Sequence, residues 1–402
     1  MKFVLDGLAL TDGGGKELAL NLIARLPQFT QHEFILILPD TPDYTALDRA
    51  TNLSSQLFRK PRSLIKRHLF LNHRVPAICR QCRAEALLCL ANFPPRRRAF
   101  PTVVFVQNAH LVYRDPVLSR GLTLRERMIN AYGRSILSRT LPRCDVIVQT
   151  EIIKQRIVSQ YQIAPHRVAV IPNGRGFAGA DAAARAASRT GRDFTFLCLG
   201  RYYGHKNWEV VLDAAELLPA YSRLAFRCVL TISPEEHPGA RKLLARIQSR
   251  NLRAAVTSIG LVPRDRLAAV LGSSDALLMP TLLESHTRTY SEAMQMGLPI
   301  LTSDRDFAHH LCKDAALYFD PLDPVDVARS MARILEDAGL RARLVANGRR
   351  ILREEPTWDD IAARFVAVLE AAATGRSISH GCLPLLPHSA QAPGHGTDAE
   401  VR

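Results

Sequence analysis

The chain has 402 residues, 47% of them hydrophobic and 23% charged, with a formal net charge of +15. That length predicts two domains, because single domains usually run to about 100–200 residues. No apolar run approaches the ~18 residues of a membrane-spanning helix, and the apolar stretch at Met1 to Asp6 is too short for a signal peptide.

Phe3-Val4-Leu5 predicts a first buried strand. Asp12-Gly13-Gly14-Gly15-Lys16 reads as a loop, and Leu18, Leu20, Leu22, Ile23 and Leu26 as the apolar face of a helix. Phe34 to Leu38 is a second strand, ending at Pro39. This alternation predicts a parallel, doubly wound sheet. Three glycines let the backbone approach a ligand closely, although a plain turn fits equally well. They do not form G-x-G-x-x-G, so no dinucleotide is inferred.

Residues 1–175 carry 26 Lys and Arg against 12 Asp and Glu, and the rest carry 27 against 26. The excess gathers at Arg59, Lys60, Arg62, Lys66, Arg67, Arg74, Arg80, Arg83 and Arg96 to Arg98. Leu57-Phe58, Leu64-Ile65 and Leu69-Phe70-Leu71 interleave with it. Two readings stand for residues 57–83: a basic amphipathic helix on an anionic membrane surface, and an ordinary core-facing helix. Nucleic acid is disfavoured, because aromatics make up 6% of the chain and no stacking series or helix-turn-helix pattern is present. Cys79-Arg80-Gln81-Cys82 has no second pair and no histidine cluster, so it reads as a coincidence on a helix. The eight cysteines are scattered, which predicts a reducing, cytoplasmic setting.

Val103 to Val106 reads as a strand followed by Gln107-Asn108-Ala109-His110. Polar residues after a buried strand belong at the ligand-binding end of such a sheet. Asp145 to Val148 is a further strand, and Val168 to Ile171 closes the first domain at Pro172-Asn173-Gly174, a turn signal in which Gly174 is free to take positive φ. Residues 178–193, rich in Ala, Arg and Gly, read as an interdomain loop.

Phe194 to Leu199 opens the second domain as a buried strand and runs into Gly200-Arg201-Tyr202-Tyr203-Gly204-His205-Lys206-Asn207, with a helix from Trp208. Two cations between the carboxyl end of a strand and a helix amino terminus suit a diphosphate. Cys228 to Ile232 is the next strand, and Ile259 to Pro263 leads into a helix through Leu267, Val270 and Leu271. Ala276 to Pro280 predicts a buried strand, Thr281 to Arg288 a loop, Thr289 to Met296 a helix stopped by Gly297 and Pro299, and Ile300 to Thr302 another strand. The loop therefore lies where an anion would bind. Glu284 in the loop and Glu292 on the helix can each accept hydrogen bonds from sugar hydroxyls or a ribose diol.

The stretch from Glu284 to Pro299 resembles the signature of the retaining glycosyltransferases of family four. Two glutamates are separated by seven residues, the second opens Glu292-Ala293-Met294, and Gly297-Leu298-Pro299 follows. Ser285-His286-Thr287 departs from the family's usual aromatic residue and glycine. Ile171 to Gly174, the Gly-Arg and Lys of 200–206, the Gly-rich loop, and the closing pattern Ala315 to Pro321 also resemble the family. Together they cover most of residues 1–370.

The resemblance implies an α/β, GT-B architecture in which two Rossmann-like, doubly wound domains face each other across a cleft. An acceptor-binding domain is expected at 1–177, a nucleotide-sugar domain at 194–356, a helix crossing back at 357–374, and a disordered tail at 375–402, whose His380, His388 and His395 are too loosely spaced for a metal. Arg201 and Lys206 are expected to neutralise the departing diphosphate, with Thr287, Arg288 and Thr289 at the helix amino end. Glu292 would hold the ribose and Glu284 would orient the sugar. Gly14, Gly15 and one of Gln107, Asn108 and His110 would reach the donor. The implied activity is metal-independent transfer from a UDP- or GDP-sugar to a glycan or lipid-linked acceptor, in envelope polysaccharide or glycolipid synthesis. No cofactor is expected, and the setting would be the cytoplasm or the inner membrane face. A sugar-nucleotide epimerase on the same fold is the main alternative, with a basic nucleic-acid-binding protein behind it.

Overall fold

The computed structural model describes residues 1–47, 50–61, 63–96, 100–119, 122–175 and 193–378. Most of the expected interdomain loop, the tail from residue 379, and Arg62, Arg97 and Arg98 lie outside the described residues.

Among the described residues, seven strands form the first sheet: β1 (Lys2–Asp6), β2 (Glu33–Pro39), β3 (Leu53–Phe58), β4 (Ala86–Cys89), β5 (Thr102–Phe105), β6 (Asp145–Val148) and β7 (Val168–Val170). Their order is β3-β2-β1-β4-β5-β6-β7. The second sheet holds β8 (Phe194–Cys198), β9 (Phe226–Leu230), β10 (Val256–Ser258), β11 (Ala276–Met279), β12 (Ile300–Ser303) and β13 (Ala316–Phe319), in the order β10-β9-β8-β11-β12-β13. All neighbouring strands pair in parallel. In each sheet the strand order reverses beside its first strand, so a crevice opens there at the carboxyl ends.

The strands read as near-continuous apolar runs because both faces are covered. Along β1 and β2, Phe3, Leu5, Leu36 and Leu38 enter one core, while Val4 and Ile37 enter the other. The first of these cores is completed from the far end of the chain. The helix Trp358–Ala373, started by a Thr357–Asp360 capping box, sends Ile361, Phe365 and Leu369 into it. Phe365 packs edge-on to Phe105 with ring centroids 5.3 Å apart. The chain stays packed beyond that helix, with Ile378 buried in the same core, so the expected tail starts later than residue 375.

Other boundaries also shift. The glycines read as a loop form the first turn of the helix Gly13–Ile23. Strands β3, β4 and β10 carry no sequence expectation: β4 is four buried residues, and β3 is an edge strand with a mostly exposed middle. Residues 57–83 are not one helix. Leu57 and Phe58 end β3, and a helix from Leu64 to Cys82 follows, with π-type turns over Phe70–Arg74 ahead of Pro76. Phe58 and Phe70 pack together at 4.9 Å, and Val75, Ile78 and Cys79 are buried against the sheet. This segment gives most of its described apolar residues to the core and leaves Leu57 and Leu69 exposed. The side chains of Leu64 and Ile65 lie outside the described set.

Candidate active site

The loops at the carboxyl ends of β1, β5, β6 and β7 face those of β8 and β11 across one cavity of about 740 Å³. The loop after β11 builds its floor. Leu282 and Leu283 are buried in a first-domain cluster with Val106, Leu111 and Ile153, so this second-domain loop is anchored across the cleft. Thr287 then caps the helix Arg288–Gln295, accepting from Thr289 N at 3.4 Å. No acid sits in the helix's first turn, which leaves its amino end electropositive. The helix ends in a Schellman arrangement: Gly297 takes φ +63, its N–H donates to Met294 O, and Leu298 N–H donates to Ala293 O.

Glu292 is 5% exposed, so it is not a solvated helix residue. Arg288 Nη2 and Arg264 Nη1 both donate to its Oε1, at 2.9 and 3.2 Å. Arg264 also reaches Glu17 of the first domain at 3.3 Å, spanning the cleft. Arg288 Nη1 is buried without a hydrogen-bond partner among the described residues. An orphaned cationic donor beside a cavity suits an oxygen-rich ligand.

The loop after β8 carries the second charged group. Lys206 Nζ donates to Glu284 Oε1 at 2.5 Å, with the two side chains 9% and 13% exposed. Thr281 Oγ1 donates to the same carboxylate oxygen at 3.2 Å. Asn207 holds the loop through Nδ2 bonds to Pro280 O and Pro321 O. Arg201 lines the cavity as an exposed residue. His205 also lines it, and its Nδ1 lies 3.1 Å from Nε2 of His110. Burial pushes the pKa of both imidazoles down, that of His205 well below the ordinary histidine range. One neutral ring therefore donates to the other.

Every residue expected to contact the donor lines the cavity except His110. His110 is the exception. It belongs to the short turn after β5, where Asn108 Oδ1 accepts from its backbone N–H, and its ring backs His205 instead of facing the cavity. Gln107 and Asn108 do line it, held by Asn92 Oδ1, which accepts from both backbone N–H groups. An ideal Cβ on Gly15 would stand 3.2 Å from Gln107 Oε1, which fits glycine at that position.

Sequence reasoning missed Asn92, Gln149, Asn173, His205, Arg264 and Glu17. Gln149 and Asn173 follow β6 and β7, so the rule that singled out Gln107 would have found them. Gln149 Nε2 donates to Asn173 Oδ1 at 2.8 Å, and Asn173 Nδ2 donates across the cleft to His286 O at 3.0 Å. Gly174 does not take positive φ. Its Cβ would sit 2.6 Å from Trp358 Cδ2, so the turn is glycine because the returning helix packs against it. Among the described residues, no three His, Cys, Asp or Glu side chains group as a metal site, and no helix is long and apolar enough to cross a membrane.

Comparison with known proteins agrees with this geometry. The family model described as Glycosyltransferase Family 4 matches residues 12–175, and that described as Glycosyl transferases group 1 matches residues 181–351. A D-inositol 3-phosphate glycosyltransferase of Xylanimonas cellulosilytica is 26% identical over 68% of this chain and 66% of its own length. Matches to the curated relatives span 29% to 66% of those proteins. Among solved structures, a sucrose-phosphate synthase from Thermosynechococcus elongatus superposes with a TM-score of 0.74 at 16% identity, covering 93% of this chain and all of that one. Anabaena Alr3699/HepE in complex with UDP-glucose superposes with a TM-score of 0.68 at 15% identity, covering 92% and 100%. With two parallel doubly wound sheets and both halves matched in order, the chain belongs to the group 1, family-four type of GT-B glycosyltransferases.

Proposed function

We propose that the protein transfers a sugar, with retention of configuration, from a UDP- or GDP-sugar to a hydroxyl of a glycan or lipid-linked acceptor in envelope glycan synthesis, on the cytoplasmic side of the membrane. One observation carries the reading: Arg201, Lys206 and the amino end of Arg288–Gln295 converge on the same cavity as Glu284 and Glu292. Cations and helix N–H groups stabilise a departing diphosphate, and each charged hydrogen bond is worth roughly 1.5–3 kcal/mol. The solved HepE complex with UDP-glucose supports a nucleotide-sugar donor.

In this reading Lys206 and Arg201 bind the diphosphate and Glu284 orients the sugar. Both arginines reach Oε1 of Glu292, which fixes this carboxylate on the cavity wall, where it takes the ribose diol. The acceptor oxygen attacks the anomeric carbon from the face the diphosphate leaves. The bond from that carbon to the phosphate oxygen breaks as the new glycosidic bond forms, and the acceptor proton passes to the departing phosphate. Protein cations take the role a metal would otherwise fill. Closure of the two domains gates the reaction.

The test is a thermal-shift screen against UDP, GDP, ADP and their sugars. A rise in Tm that is lost in Arg201→Ala and Glu292→Ala supports the donor site and names the base. No shift with any nucleotide removes the reading.

A further inference from the structure

The helix Leu124–Thr140 carries an apolar surface that the fold does not use. Leu124 is 74% exposed, Met128 64%, Tyr132 49% and Ile129 36%. Leu124, Met128 and Tyr132 are spaced by four, so they form one stripe along the helix. The buried side is a different face: Gly133, Leu137 and Thr140 turn inward, and a Cβ on Gly133 would meet Leu111 at 2.8 Å. The helix is thus anchored to the first domain by one face and offers the opposite one to solvent.

Charge says what covers it. Arg125 and Arg127 are exposed on either side of the stripe, and Arg139 lies exposed two turns beyond Tyr132. The helix's single acid is turned away: Glu126 accepts from both the N–H and the hydroxyl of Thr123, and lies 4.0 Å from His237 of the second domain. An apolar stripe edged by arginines, with the helix's one acid on the other face, matches the boundary of an anionic lipid layer, where side chains enter the acyl region and cations meet headgroups. A second copy of this chain fits worse, because a symmetric contact would set arginines against arginines.

We propose that Leu124–Thr140 docks the protein on an anionic membrane surface, with Leu124, Met128 and Tyr132 inserted and Arg125 and Arg127 at the headgroups. The helix is linked to the donor cavity: Arg134 Nη1 donates to His110 O at 2.9 Å, and the His110 ring contacts His205 on the cavity wall. Docking there brings a lipid-linked acceptor toward the cleft. That use rests on the transferase reading, but the docking does not.

The experiment is flotation of the full chain, without nucleotide, on vesicles of phosphatidylcholine alone or mixed with phosphatidylglycerol. The wild type is expected to float with the mixed vesicles only. Leu124→Glu with Met128→Glu should abolish flotation, and Arg125→Ala with Arg127→Ala should lower partitioning about 30-fold, at about one headgroup contact per arginine. Both variants should stay folded, with a Tm within about 4 °C of the wild type, because the altered side chains are exposed. Three results overturn the proposal: no flotation of the wild type, equal flotation on neutral vesicles, or variants that float like the wild type. Because no donor is present, any of these leaves the transferase reading standing.

Discussion

Replacing Lys206 by methionine tests the centre of the site most directly. Its ammonium lies 2.5 Å from Glu284 Oε1, with both side chains largely out of solvent. Removing one partner of a buried pair costs about 3–5 kcal/mol, because the other charge stays desolvated. Glu284 keeps the Thr281 hydroxyl and borders a cavity, so the cost falls at or just below the lower end of that range, about 2–3 kcal/mol. Urea unfolding of the wild type, Lys206→Met, Glu284→Gln and the double variant forms a thermodynamic cycle. The double variant should recover most of the loss, giving a coupling of about 2 kcal/mol. Nucleotide binding should remain impaired in both Lys206 variants, because the diphosphate has lost its cation. A coupling below about 0.5 kcal/mol would refute the pair as an energetically buried one. Unchanged UDP or GDP affinity in Lys206→Met would refute its role at the diphosphate.

Glu292→Gln should weaken nucleotide binding by about 10- to 100-fold in calorimetry, the worth of roughly 1.5–3 kcal/mol in charged hydrogen bonds, and should leave Arg264 and Arg288 without their shared carboxylate. Gly174→Ala forces a Cβ to within 2.6 Å of Trp358, so it should destabilise the protein by about 1–3 kcal/mol in denaturant unfolding. His286 lies 3.2 Å from Asn173 Nδ2 through Nδ1, and burial pushes its pKa from 6.5 to about 4. The unfolded chain therefore takes up this proton first. The neutral ring's contribution is complete above pH 6.5 and is lost as pH falls toward 4. His286→Asn should flatten that part of the stability-against-pH curve measured by thermal unfolding, and an unchanged slope would refute the assignment.

Local sequence determined the architecture and the second-domain half of the site. Apolar runs such as Phe34 to Leu38 and Ala276 to Met279 mark strands buried on both faces, and the alternation of strands with helices requires parallel pairing. Polar and charged residues just after those strands, Arg201, Lys206 and Glu284 among them, must lie at one edge of the sheet. Short or edge strands stayed hidden: β4 follows the helix ending at Cys82 with no Gly, Pro, Asn, Asp or Ser between them, and the half-solvated run in β3 carries no period that separates it from a loop.

Only the tertiary structure decided what each polar residue faces. Glu292 has the spacing of an exposed helix acid, and it is buried because Arg264 and Arg288 close over it. His110 has the position of a ligand contact, yet the loop after β8 sets His205 in front of it. Gly174 reads as a turn residue, while its real constraint is Trp358, 184 residues further along the chain. The apolar residues of 57–83 read equally as a membrane face or a core face and mostly fill a core, whereas Leu124, Met128 and Tyr132 on an Arg-rich helix are left outside. Periodicity states which residues share a face. Which face is covered depends on segments hundreds of residues away, and that is set when the two sheets and the returning helix pack together.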